Sequence, residues 1–148
     1  MKVAYISSNR SAGTPEKPEP AFARPIGEAL EARGTAVLRN RHTDDIATNM
    51  YQLGQLKLAA ERVFVDWVQS PLETVLSQWG PDDAAVFVRA HRIEMYNREY
   101  LQALPWSRVK CLFFIAQHVQ DRFLEGCTVE KPQEVMNLGH VGVDLEFW

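Results

Sequence analysis

Within six positions the segment Arg89-Ala90-His91-Arg92-Ile93-Glu94 collects two guanidinium groups, an imidazole and a carboxylate. It follows the apolar run from Ala84 to Val88, which reads as a buried strand, so these groups stand where a strand gives way to a loop. Extended backbone alternates its side chains, which puts Arg89 and His91 on one side and Arg92 and Glu94 on the other. Four such groups can bind charge and move protons, more than a plain connection needs. The competing reading is a surface ion pair between Arg92 and Glu94, with His91 capping or hydrogen-bonding the next helix.

Other polar strand exits are Ser7-Ser8-Asn9, Asn40, Asp66-Trp67 and Gln117-His118, all expected to converge in space. Asp66-Trp67 reads either as a ligand for ribose, a sugar hydroxyl or a helix terminus, or as a buried tryptophan with a capping aspartate. His42, His91, His118 and His140 lie at strand exits or early loop positions. With no HxxxH, no CxxC and no carboxylates at ligand spacing, a metal centre is not expected. His118 is more simply an early-helix residue, where the macrodipole disfavours its protonation. GxGxxG and Walker A lysine motifs are both missing, so no dinucleotide cofactor or P-loop phosphate site is supported, and no cofactor is expected.

These exits are positioned by an alternation of strands and helices. Val3 to Ile6 reads as the first strand, followed by a long loop from Arg10 to Pro20. Phe22, Ile26, Ala29 and Leu30 mark a helix that Gly34 ends, and Thr35 to Leu38 a second strand with Arg39 to His42 as its polar exit. Met50, Leu53, Leu56, Leu58 and Ala59 mark an amphipathic helix from Ile46 to Glu61, weakened by Gly54. Val63 to Trp67 and Ala84 to Val88 are strands on either side of a helix that Ser70-Pro71 opens. A short helix from Tyr96 to Leu104, the apolar strand Val109 to Ile115, a helix ending at Gly126 and a strand from Glu134 to Leu138 complete the series. The pattern predicts an α/β, Rossmann-like, doubly wound and mainly parallel sheet of about six strands with helices on both faces. In such sheets, ligands bind at the carboxyl ends of the strands, where strand order reverses.

At 148 residues, 46% hydrophobic and 24% charged, the chain has the size and make-up of one globular domain. A net charge of −3 excludes the basic stripe of a nucleic-acid binder. Cys111 and Cys127 have no ligand-like spacing and read as free thiols. No run approaches a membrane span and the N-terminal segment reads as a strand, so a cytoplasmic location is the default expectation.

Three segments together resemble the N-terminal domain of GT-B glycosyltransferases of the family 4-like kind: Lys2 to Ser8, Val88 to Glu94, and Gly142 to Phe147. The helix Ile26 to Gly34 and the segment Phe113 to Val119 with Asp121-Arg122-Phe123 also fit that family's order. The resemblance implies transfer of a sugar from a nucleotide-sugar donor to an acceptor hydroxyl, with the acceptor held mainly here. A second, donor-binding domain is expected after Gly142-Val143-Asp144, on the same or a separate chain, and the isolated chain is expected to be inactive. His91 matches the family's strand-exit histidine near the transferred sugar. Ser7, Ser8 and Asn9 would line the acceptor side, with Arg89 or Arg92 meeting an anionic acceptor. Two departures stand out: Ser11-Ala12-Gly13-Thr14-Pro15 replaces a glycine-rich turn, and Leu138-Gly139-His140-Val141 replaces an apolar-Pro-Asn segment.

Two alternatives stay open. One is a flavodoxin-like or receiver-like binding module, although Ser7-Ser8-Asn9 stands where a receiver needs clustered acids. The other is an epimerase or other sugar-nucleotide enzyme on a similar architecture. The apolar tail Leu145-Glu146-Phe147-Trp148 predicts self-association.

Overall fold

Strands and helices alternate along the chain: β1 (Lys2–Ser8), α1 (Arg24–Ala32), β2 (Ala36–His42), α2 (Ile46–Ala59), β3 (Arg62–Asp66), α3 (Ser70–Gln78), β4 (Ala85–Ala90), α4 (Arg98–Ala103), β5 (Val109–Phe114), α5 (Gln117–Gly126) and β6 (Glu134–Asn137). The computed structural model describes residues 1–8, 24–42, 45–68, 70–91, 97–126 and 130–138. All neighbouring strands pair in parallel, in the order β2-β1-β3-β4-β5-β6. The protein therefore has the doubly wound, Rossmann-like α/β architecture, and its order reverses between β1 and β3.

Only the β1-to-β2 connection travels leftward along this order. Right-handed crossovers consequently place α1 on one face and the remaining four helices on the other. On the four-helix face, Ala4, Ile6, Val63, Val65, Val88, Leu112 and Phe114 meet Leu53, Leu72, Val75, Leu101 and Phe123 in one buried core. Trp106 closes it from below α4, donating its indole N–H to the Leu101 carbonyl at 2.6 Å and meeting Phe123 edge-on. Across the other face runs a row of rings: Tyr5 stacks on Phe64 at 5.5 Å, Phe64 lies 6.1 Å from Phe113, and Phe87 lies 6.5 Å from Phe113.

Local signals explain the helix ends. Gly34 adopts φ 76°, a left-handed conformation that glycine enters without a Cβ penalty. Its N–H bonds the Glu31 carbonyl at 2.9 Å and the Thr35 N–H bonds the Leu30 carbonyl at 3.1 Å, a Schellman stop for α1. Asp45 caps α2 by accepting from the N–H groups of Ala47 and Thr48.

Three expectations need correction. Arg39 to His42 are not a loop exit: they continue β2, in register with Tyr5 to Ser8, because a polar sequence is tolerated on an edge strand with solvent beside it. Arg89 likewise lies inside β4, not beyond it. In α2, Leu53 and Asn49 turn inward, while Met50 and Leu58 stay 43% and 85% exposed. Leu53 joins the core with Ala4 and Ile6 of β1, and at about 100° per residue that docking fixes where every other side chain of the helix points.

Candidate functional site

Register builds the centre of the carboxyl edge. Ser7 of β1 pairs with Asp66 of β3, and Val65 pairs with Val88, which sets Asp66 beside Arg89. Tyr5, Asp66 and Arg89 all project to the ring-bearing face by the period of two. The phenol of Tyr5 donates to Asp66 Oδ2 at 3.0 Å, reaching from one strand to the next. Arg89 grips the same carboxylate with two bonds, Nε to Oδ1 at 2.5 Å and Nη2 to Oδ2 at 2.7 Å. His91, one residue past the end of β4, brings Nε2 to 3.2 Å from Oδ1.

Asp66 is completely buried, so its ionisation is set by these partners. Burial is the largest effect and raises its pKa. The hydrogen bonds from His91 and Arg89, followed by their charges, outweigh it, and the carboxyl is held below the ordinary aspartate value. A carboxylate only accepts, so Nε2 is the nitrogen of His91 that donates to Asp66. The imidazole is then fixed on its flat side by Trp67, whose ring centroid lies 4.3 Å away at 14°. Of the two basic side chains on Asp66, Arg89 is 5% exposed and His91 13%, so the imidazole is the more open of the two toward solvent.

The structure thus gathers Asp66, Arg89 and His91, with Ser7 buried alongside in β1 and Ser8 closing that strand. Asn9, Arg92 and Glu94 lie outside the described residues. Among the described residues, two of the other polar exits bond elsewhere. Asn40 turns to the helical face and donates to Gln52 at 2.7 Å, and Gln117 is tied to Asp121 and Asn137. His118 is exposed in the first turn of α5. Cys111 is a free, buried thiol whose pKa burial raises. Among the described residues, no three His, Cys, Asp or Glu side chains gather as a metal site, and no helix is long and apolar enough to cross a membrane.

Sequence reasoning missed Tyr5. A tyrosine in an apolar strand reads as core, and only the pairing of β1 with β3 reveals the carboxylate its hydroxyl meets. Trp67 was seen beside Asp66, but its partner ring lies 24 positions away in sequence and becomes visible only when β3 and β4 lie side by side. No protein-family model matches this chain, and no curated protein does.

Proposed function

We propose that this chain is the acceptor-side domain of a GT-B-like glycosyltransferase, with His91 contacting the donor sugar. The observation that carries this reading is the positioning of His91 at the sheet's carboxyl edge, bonded to a buried carboxylate and stacked on Trp67. Sugar transfer asks a protein mainly to orient the reactants and stabilise developing charge. The acceptor oxygen forms the new glycosidic bond as the bond to the nucleotide phosphate breaks, and the departing phosphate takes the acceptor proton. In this scheme Asp66 and Arg89 position His91, and Ser7, Ser8 and Asn9 line the acceptor side. Arg92 and Glu94 are further acceptor contacts. A donor-binding domain, on this polypeptide or another, supplies the nucleotide site.

Calorimetric titration of the 148-residue chain with UDP-glucose and GDP-mannose tests this. Binding is expected to be weak or absent, and transfer to appear only when a donor-binding domain is added, then to be lost in His91→Ala. Tight, stoichiometric nucleotide-sugar binding with His91-dependent turnover by the chain alone would contradict the reading.

A receiver-like module is the second reading, favoured by an aspartate at the end of β3 in a sheet ordered β2-β1-β3-β4-β5. Against it, both oxygens of Asp66 are engaged by Arg89, Tyr5 and His91, and the residue is buried. Incorporation of phosphate from acetyl phosphate at Asp66 would revive it.

A further inference from the structure

We propose that the outer face of α2 is the contact surface for a second copy of this chain. The helix buries Asn49 and Leu53 against the sheet, yet the flank beside Leu53, continuing round toward the far side, is also apolar. Ile46 is 75% exposed, Met50 43%, Tyr51 71% and Leu58 85%. With Ala47 and Gly54, they fall in one sector about 140° wide at about 100° per residue. From Ile46 to Leu56 the helix carries no charged side chain, and Lys57 is held by Asp83 at 2.7 Å. Large contiguous apolar surfaces on soluble domains mark contacts with other macromolecules.

The pattern along this stripe fits itself. A two-fold contact requires that residue i meet j while j meets i. With α2 helices antiparallel about a point midway between Met50 and Gly54, the Met50 of each copy faces Gly54 of the other, and Ile46 faces Leu58. Within the chain, nothing calls for glycine at position 54: its φ is not positive, and an added Cβ would touch nothing within 4 Å. Within one copy the Met50 Sδ accepts from Gln78 Nε2 at 2.8 Å in an exposed contact; in the pair this contact is exchanged for the gap above Gly54 of the other copy, and methionine is well suited to filling such a gap.

Electrostatics and area agree with a second copy as occupant. Antiparallel helices oppose their dipoles favourably, and a net charge of −3 gives little repulsion between copies. At about 200 Å² per large side chain, the four exposed residues offer roughly 550 Å², so a pair removes about 1,100 Å² in all, near the lower limit of specific interfaces.

Sedimentation equilibrium of the full chain over a wide concentration range tests the proposal. A reversible dimer is expected. Leu58→Glu and Gly54→Leu are each expected to raise its Kd tenfold or more while circular dichroism stays unchanged. Leu124→Glu, on the exposed side of α5, is expected to leave Kd as it was. Three results would overturn the proposal: a monomer at every concentration, a dimer indifferent to both α2 substitutions, or a dimer that survives them but is lost in Phe147→Glu, which would place the contact on the C-terminal segment.

Discussion

The imidazole of His91 lies flat on the indole of Trp67, ring centroids 4.3 Å apart, while its Nε2 points to Asp66 Oδ1 at 3.2 Å. One contact fixes the plane of the ring and the other its rotation within that plane. Replacing Trp67 with Ala is expected to cost about 0.5–1.5 kcal/mol beyond lost burial, read from urea unfolding. Nitrogen-15 NMR of the imidazole supplies a second readout. The wild type is expected to show the Nε2–H form, and Trp67→Ala a mixture of tautomers, with Trp67→Phe close to wild type.

Asp66 and Arg89 form a buried, doubly bonded ion pair. Removing one member leaves an uncompensated charge in the interior, so Asp66→Asn is expected to destabilise the fold by about 3–5 kcal/mol. The double variant Asp66→Leu/Arg89→Met removes both charges at once and is expected to recover most of that loss. Chemical denaturation of the three proteins decides this. A double variant as unstable as the single one would show that Asp66 acts through more than its charge.

Acid sensitivity follows from the same group. The folded pKa of Asp66 is lowered, its burial more than offset by the bonds from His91 and Arg89. Against an unfolded value of about 3.9, its stabilising contribution is fully present above about pH 5 and is lost as pH falls through the lower folded value. Asp45 and Asp83 are also lowered, chiefly by hydrogen bonds from Thr48 and Lys57, and remain in any Asp66 variant. Asp66→Asn is therefore expected to flatten, but not abolish, the fall in stability below about pH 4. Identical acid limbs in the two proteins would assign that fall entirely to other carboxylates.

Tyr5→Phe deletes one hydroxyl and retains the ring on Phe64. Losing a donor to a buried carboxylate is expected to cost about 1.5–3 kcal/mol and to raise the Asp66 pKa. Thermal unfolding combined with carboxyl NMR separates this from a packing effect, which would lower stability without moving the titration.

The alternation of elements was legible because each strand and helix here is announced by local chemistry. Gly34 stops α1, Val109 to Phe114 is apolar at every position but Lys110, and Gly126 ends α5. The ends of β2 and β4 were not legible. Whether Arg39 to His42 or Arg89 extend a strand depends on a neighbour to pair with, which local preference does not encode. The same holds for α2, where a helix apolar on both sides gives no sign of which side meets the sheet.

By itself the sequence determined the parallel α/β architecture and the density of polar groups around Arg89 and His91, since periodicity and turn residues are local properties of the chain. Tertiary structure alone decided that Tyr5, Asp66, Arg89 and His91 share one carboxylate. Tyr5, Asp66 and Arg89 come from three strands and His91 from the residue after β4, and the hydrogen bonds that join them exist only once β1, β3 and β4 lie side by side in register.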